Sequence, residues 1–145
     1  CRCGRRGCLE VYAGRRSMVS AAGIASSDAA ATRESINELI DHWRQRDSKA
    51  VAVVEKALEA MASVIASIIN VCDIDTVMLG GLWAHFEPDL IRRIGRMVRP
   101  QALSYPEVQA RVMMADVVAR PALIGAAEVG LRNFVDNPLE FLERE

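Results

Sequence analysis

The chain has 145 residues, of which 51% are hydrophobic and 26% charged, enough apolar material for one compact core and too much for a disordered tail. With 18 basic against 19 acidic residues the formal net charge is -1, so no global field holds the chain on a polyanion, and nucleic-acid binding by this segment is not expected. The longest apolar stretch, Val64 to Cys72, is interrupted by Ser67 and Asn70 and followed by Asp73 and Asp75; it is too short to span a bilayer, and no signal peptide or membrane helix is expected.

In chain order, the sequence opens on Cys1-Arg2-Cys3-Gly4-Arg5-Arg6-Gly7-Cys8, which holds three of the four cysteines. Leu9 to Ala22 reads as one helix, with Glu10 in its first turn and Gly23 placed to stop it. Ile24 to Thr32 is rich in Ala and Ser and reads as a loop. Ser35 followed three residues on by Glu38 predicts a capping box, and Ile36, Leu39, Ile40 and Trp43 recur at helical spacing behind it. A long helix is expected from Asp47 or Ser48. Its apolar face runs Val51, Val54, Leu58, Met61, Ile65, Ile68 and Cys72, and its carboxyl end is expected to be buried nearly all round.

Asp73-Ile74-Asp75 breaks that helix, and Thr76 to Leu79 followed by Gly80-Gly81 reads as a buried strand ending in a tight turn. Pro88 suits a first helical turn, and Leu90, Ile91, Ile94, Met97 and Val98 form an apolar face opposite Arg92, Arg93, Arg96 and Arg99. A second strand is expected over roughly Ala110 to Val117. Ala122 to Phe134 then reads as a helix after Pro121, whose Gly125, Ala126, Ala127 and Gly130 would allow close packing on a sheet. Helix, strand, helix, strand, helix is the order of an α/β unit with parallel strands. Two strands do not complete such a layer. Residue 1 is also a cysteine inside a motif rather than a methionine, so a chain truncated at its amino end is expected, with more of the sheet upstream or on a partner.

The spacing Cys-x-Cys-x4-Cys brings three thiolates into one short loop, and glycines at 4 and 7 allow the left-handed turns that wrap backbone round a metal. Zinc suits such a set, and a closed site of this kind organises a loop rather than performing chemistry. Three adjacent cysteines of this kind also point to a reducing, cytoplasmic compartment. His42 and His85 lie far along the chain and are weak candidates for a fourth ligand. Arg2, Arg5, Arg6, Arg15 and Arg16 form either an anion patch or a solvated face that raises the thiolate fraction nearby.

Cys1-x-Cys3-Gly4-x-x-Gly7-Cys8-Leu9-Glu10 resembles the zinc signature of the ROK family (repressor, open reading frame, kinase). The resemblance implies Cys1, Cys3 and Cys8 as metal ligands, a fourth histidine ligand about ten residues upstream of Cys1, and Glu10 as an acceptor of hydrogen bonds from sugar hydroxyls. Read locally, Glu10 is also a carboxylate that stabilises a helix start. Thr76-Val77-Met78-Leu79-Gly80-Gly81 is similar to the strand and glycine turn that face the nucleotide in ROK kinases and other actin-like ATPases; a plain tight turn accounts for it equally. The fold implied is α/β, the carboxyl-terminal lobe of an actin-like, ribonuclease H-like (hexokinase-type) ATPase. It is helix-rich here with about two parallel strands, and residues 1–145 form the carboxyl-terminal part of the sugar-binding and oligomerisation domain.

Where ROK kinases often carry a third glycine this chain has Leu82-Trp83, bulky residues expected to crowd an adenine or its phosphates. Tyr12-Ala13-Gly14-Arg15-Arg16 and the extension Asp136 to Leu142 also look more like the family's transcriptional regulators. The leading expectation is therefore the effector-binding part of a zinc-containing repressor. It would bind a sugar or sugar phosphate, form a homodimer or tetramer, and reach DNA only through an upstream helix-turn-helix. The alternative is the carboxyl-terminal half of an ATP-dependent sugar kinase, with Gly80 and Gly81 giving room for ATP and the catalytic aspartate upstream; no catalytic residue is expected in this chain. A zinc-stapled interaction module without ligand is the third possibility.

Overall fold

In the computed structural model, which describes residues 1, 3–26, 30–107, 109–116 and 121–137, the expected helix from Leu9 to Ala22 is two. α1 spans Leu9–Ala13 and α2 Arg15–Ala21, joined by Gly14 in extended backbone (φ -79, ψ 146). A Cβ on Gly14 would stand 2.4 Å from the carbonyl oxygen of Glu10, so the chain turns here because this residue has no side chain. Gly23 does end α2. With φ 79 it donates to the Ser20 carbonyl while Ile24 donates to Val19, the paired bonds of a glycine helix stop.

α3 spans Arg33–Arg44. The expected cap at Ser35 is displaced by one turn: the Thr32 hydroxyl accepts from the Ser35 amide at 3.2 Å, and Glu38 is an exposed residue within the helix. Thr32 wins because it stands where the chain first turns helical. Ile36, Leu39 and Ile40 are buried, and Trp43 packs edge-on against Phe86.

α4, Ser48–Cys72, starts where expected, with an Asp47 oxygen accepting from the amides of Lys49 and Ala50 at 3.0 and 2.9 Å. Its buried side carries Val54, Leu58, Met61 and Ile65 together with Ala50, Ala57, Ala62, Ala66 and Ile69. The alanines let α1 and α5 close in, so the buried stripe follows them rather than running on to Ile68 and Cys72. The carboxyl end is therefore covered on one side only: Ile68 and Cys72 are exposed and Val71 is 84% exposed. Asp73, with φ 51, turns the chain out of the helix.

β1, Thr76–Leu79, and β2, Arg111–Met114, pair in parallel from Thr76 opposite Arg111 to Leu79 opposite Met114. β2 is shorter than expected, since Ala115 and Asp116 lie outside it and Val117 outside the described residues. Between the strands run a 3-10 turn, Gly81–His85, α5 at Pro88–Val98 with Pro88 in its first turn, and a second 3-10 turn, Arg99–Gln101. α5 packs on both α4 and β2; Gly95 is buried against Val112, and Arg93 reaches Glu55 of α4 through two hydrogen bonds of 2.6 and 2.5 Å. The strand is not buried on both faces, because Met78 and Met113, opposite each other, are exposed while Leu79 is buried.

Residues from Ala115 onward form a second unit. Its helix α6 spans Pro121–Asp136, somewhat longer than expected. Along this helix Leu123, Val129 and Leu131 are exposed. Residues 138–142 of the carboxyl-terminal extension lie outside the described residues.

Candidate metal and substrate site

Gly4 and Gly7, with φ of 77 and 75, make the two left-handed turns of the first loop, and the Gly4 amide donates to the Cys1 carbonyl at 3.0 Å. These turns gather the thiols: the Cys3 sulfur lies 3.3 Å from that of Cys1 and 3.4 Å from that of Cys8, and all three sulfurs fall within 4.8 Å of one another. Sulfurs round a tetrahedral zinc at about 2.3 Å stand roughly 3.8 Å apart. The set therefore fits three corners of one such ion with shifts of a few tenths of an ångström to one ångström. Among the described residues no other group of histidine, cysteine or carboxylate side chains does so.

The three sulfurs are not equivalent. A backbone hydrogen bond from Arg5, and then the Cys8 thiol, hold the Cys3 thiol below its ordinary pKa. The hydrogen bond with Cys3, and then partial burial, push Cys8 up. Cys3 donates towards Cys1, and between Cys3 and Cys8 either thiol can be the donor; a divalent cation held by the three sulfurs would displace these protons. His42, on α3, and His85, in the first 3-10 turn, are not in the cluster, and Cys72 is exposed and apart from it. Arg2 lies outside the described residues; Arg5 and Arg6 are exposed.

Glu10 follows Cys8 by two residues and sits exposed in the first turn of α1. Its carboxyl group folds over Gly14, where a Cβ would stand 2.3 Å from both the carboxyl carbon and Oε1. Gly14, which periodicity did not single out, thus belongs to the candidate site: its missing side chain makes the seat for the carboxylate. α1 is in turn held against α4, with the buried Ala13 between them and Lys56 over the Tyr12 ring at 5.4 Å.

Gly80 and Gly81 leave the carboxyl end of β1, Gly80 extended and Gly81 left-handed at φ 63. Leu82 and Trp83 do not crowd this turn. Both are buried, 4% and 7% exposed, and the Trp83 ring stacks at a tilt on Phe86, centroids 5.7 Å apart. The 3-10 turn that begins at Gly81 rotates them into the core, a conformation their bulk alone does not announce. The Arg15 guanidinium lies against the same turn, 3.6 Å from where a Cβ on Gly81 would stand. The α1–α2 junction therefore touches Glu10 through residue 14 and the glycine turn through residue 15.

Comparisons with known proteins bear on this arrangement. The model of the ROK family matches residues 1–132. An N-acetylmannosamine kinase of Haemophilus influenzae (strain PittEE) is 35% identical over 81 residues, covering 56% of this chain and 25% of that protein. An N-acetyl-D-glucosamine kinase of Salmonella paratyphi A (strain ATCC 9150 / SARB42) is 31% identical over 107 residues, 70% of this chain and 33% of that one. The chain thus spans a quarter to a third of the length of these relatives. The crystal structure of a ROK hexokinase from Thermus thermophilus superposes with a TM-score of 0.68 and 25% identity over 88% of this chain and 41% of that one. The fold is accordingly α/β of the hexokinase type. The kinases found here give no support to the expected closeness to the transcriptional regulators.

Proposed function

Since the chain belongs to the ROK family, we propose that it is the carboxyl-terminal part of an ATP-dependent sugar kinase whose substrate is an N-acetylated hexosamine. What carries this reading is the seating of Glu10 on Gly14 beside a glycine turn that the adjacent Arg15 touches and that Leu82 and Trp83 leave uncovered. Relatives of this chain are named as kinases of N-acetylmannosamine and N-acetylglucosamine. Burial of Leu82 and Trp83 removes the steric reason for setting ATP aside, and an operator-binding role is not proposed.

Glu10 accepts hydrogen bonds from sugar hydroxyls, as a carboxylate with free lone pairs does, and so fixes the ring. Gly80 and Gly81 let the nucleotide approach the backbone at the end of β1. Cys1, Cys3 and Cys8 would hold a zinc ion that closes the loop before α1 and thereby fixes where Glu10 starts; its contribution is structural. In the transfer, a sugar hydroxyl oxygen bonds to the γ-phosphorus, the bond from that phosphorus to ADP breaks, and the hydroxyl proton passes to a base. That base is proposed to lie in the part of the kinase outside this chain.

The test uses the full-length protein with MgATP and, in turn, N-acetylmannosamine, N-acetylglucosamine and glucose. ADP formation that depends on one of the N-acetylated sugars is expected. ADP formation with none of the three would refute the kinase reading, and a preference for glucose would refute its substrate.

A further inference from the structure

Arg15 opens α2, is exposed, and has no ion-pair or hydrogen-bond partner among the described residues. Some other arginines are paired. Arg44 pairs with Asp41 and Glu87, Arg92 with Asp89, Arg93 with Glu55 and Arg111 with Asp75. Arg15 instead points its guanidinium at Gly81, one Nη 3.6 Å from the place a Cβ would take. A left-handed φ of 63 keeps that position free of side chain, and the next two side chains are turned into the core. An unpaired planar cation thus walls an uncovered backbone turn at the carboxyl end of a parallel strand, where α/β sheets take their ligands.

We infer that Arg15 and the Gly80–Gly81 turn form an anion subsite that binds a phosphate group of the nucleotide, an assignment resting on the kinase reading above. The guanidinium fork matches two phosphate oxygens at once, and the bare glycine backbone admits them without a clash. The ligand is a phosphate rather than a neutral sugar group because the group offered at the turn is a cation, whereas the carboxylate Glu10 is seated on Gly14. Residues 14 and 15 thereby set the spacing between sugar and nucleotide: one seats the carboxylate, and the other reaches the turn.

The experiment is steady-state kinetics of the full-length protein carrying Arg15→Ala, with Arg15→Gln in reserve should the alanine variant not fold, and Arg15→Lys alongside. The KM for MgATP is expected to rise about tenfold or more, the loss of a charge-assisted contact, while the KM for N-acetylmannosamine stays within about twofold. Arg15→Lys should recover part of the loss, since it restores the charge without the fork. An unchanged KM for MgATP, or equal rises in both KM values with a lowered Tm, would overturn the subsite. Should the wild-type protein form no ADP, the kinase reading has failed, and calorimetric titration with magnesium pyrophosphate decides the subsite separately. Binding by the wild type and not by Arg15→Ala sustains it; equal binding by both, or by neither, overturns it.

Discussion

Cys3 is the hub of the amino-terminal loop, since its sulfur is the one in reach of both others. Cys3→Ser in the full-length protein is expected to abolish stoichiometric zinc binding, measured by metal analysis, and to lower Tm, because a structural zinc contributes folding free energy directly. Retention of full zinc content would show that the three thiols are not its ligands. Glu10 is exposed and so has little packing to lose. Glu10→Gln should leave Tm nearly unchanged and lower kcat/KM for the sugar about tenfold to a hundredfold, as expected when a charged acceptor of a substrate hydroxyl is made neutral. An equal fall in kcat/KM for MgATP would argue against a sugar-binding role.

Helix ends decide the elements as much as their apolar faces. At the start of α3, Thr32 caps the Ser35 amide, and Glu34 gains a hydrogen bond from its own backbone and then one from the Thr32 side chain, which together hold its carboxyl below its ordinary value of 4.5. A carboxylate whose folded-state pKa is depressed stabilises the fold fully above the unfolded value, and the contribution vanishes as pH falls through the folded value. Glu34→Gln is therefore expected to lower Tm at neutral pH and to flatten its decline as pH falls through and below the ordinary value of 4.5. Thermal melts across that range check it, and parallel wild-type and variant curves would contradict it. At the end of α4 the sequence marked the break correctly at Asp73, whose left-handed φ of 51 is one that aspartate tolerates better than most residues.

One apolar cluster ties α1 to α5 together, and Leu58, fully buried near the middle of α4, lies within it. Leu58→Ala should cost about 3 kcal/mol, the removed side chain plus the cavity it leaves. Denaturant unfolding followed at Trp43 and Trp83 should show one shared shift of the midpoint. A shift at one tryptophan alone would mean that this unit does not unfold cooperatively. The exposed Met78 and Met113 lie outside that cluster. Like Ile68 and Cys72 at the end of α4, they are places where a sequence pattern promised burial that the described residues do not supply.

By itself the sequence determined the features set by short-range chemistry. The cysteine and glycine spacing gave the thiol loop, Gly23 and Asp47 gave helix ends, and the stepwise apolar residues gave α4 and α5, because φ, capping bonds and helical period act within one or two turns. Tertiary structure alone decided the break at Gly14, the side of α4 that is buried, the inward rotation of Leu82 and Trp83, and the meeting of Arg15 with Gly81. Each of these depends on which distant segment fills the space beside a residue, and sixty-six positions separate Arg15 from Gly81 in the sequence. No local pattern encodes such a contact; the packing of α1 and α5 on α4 does.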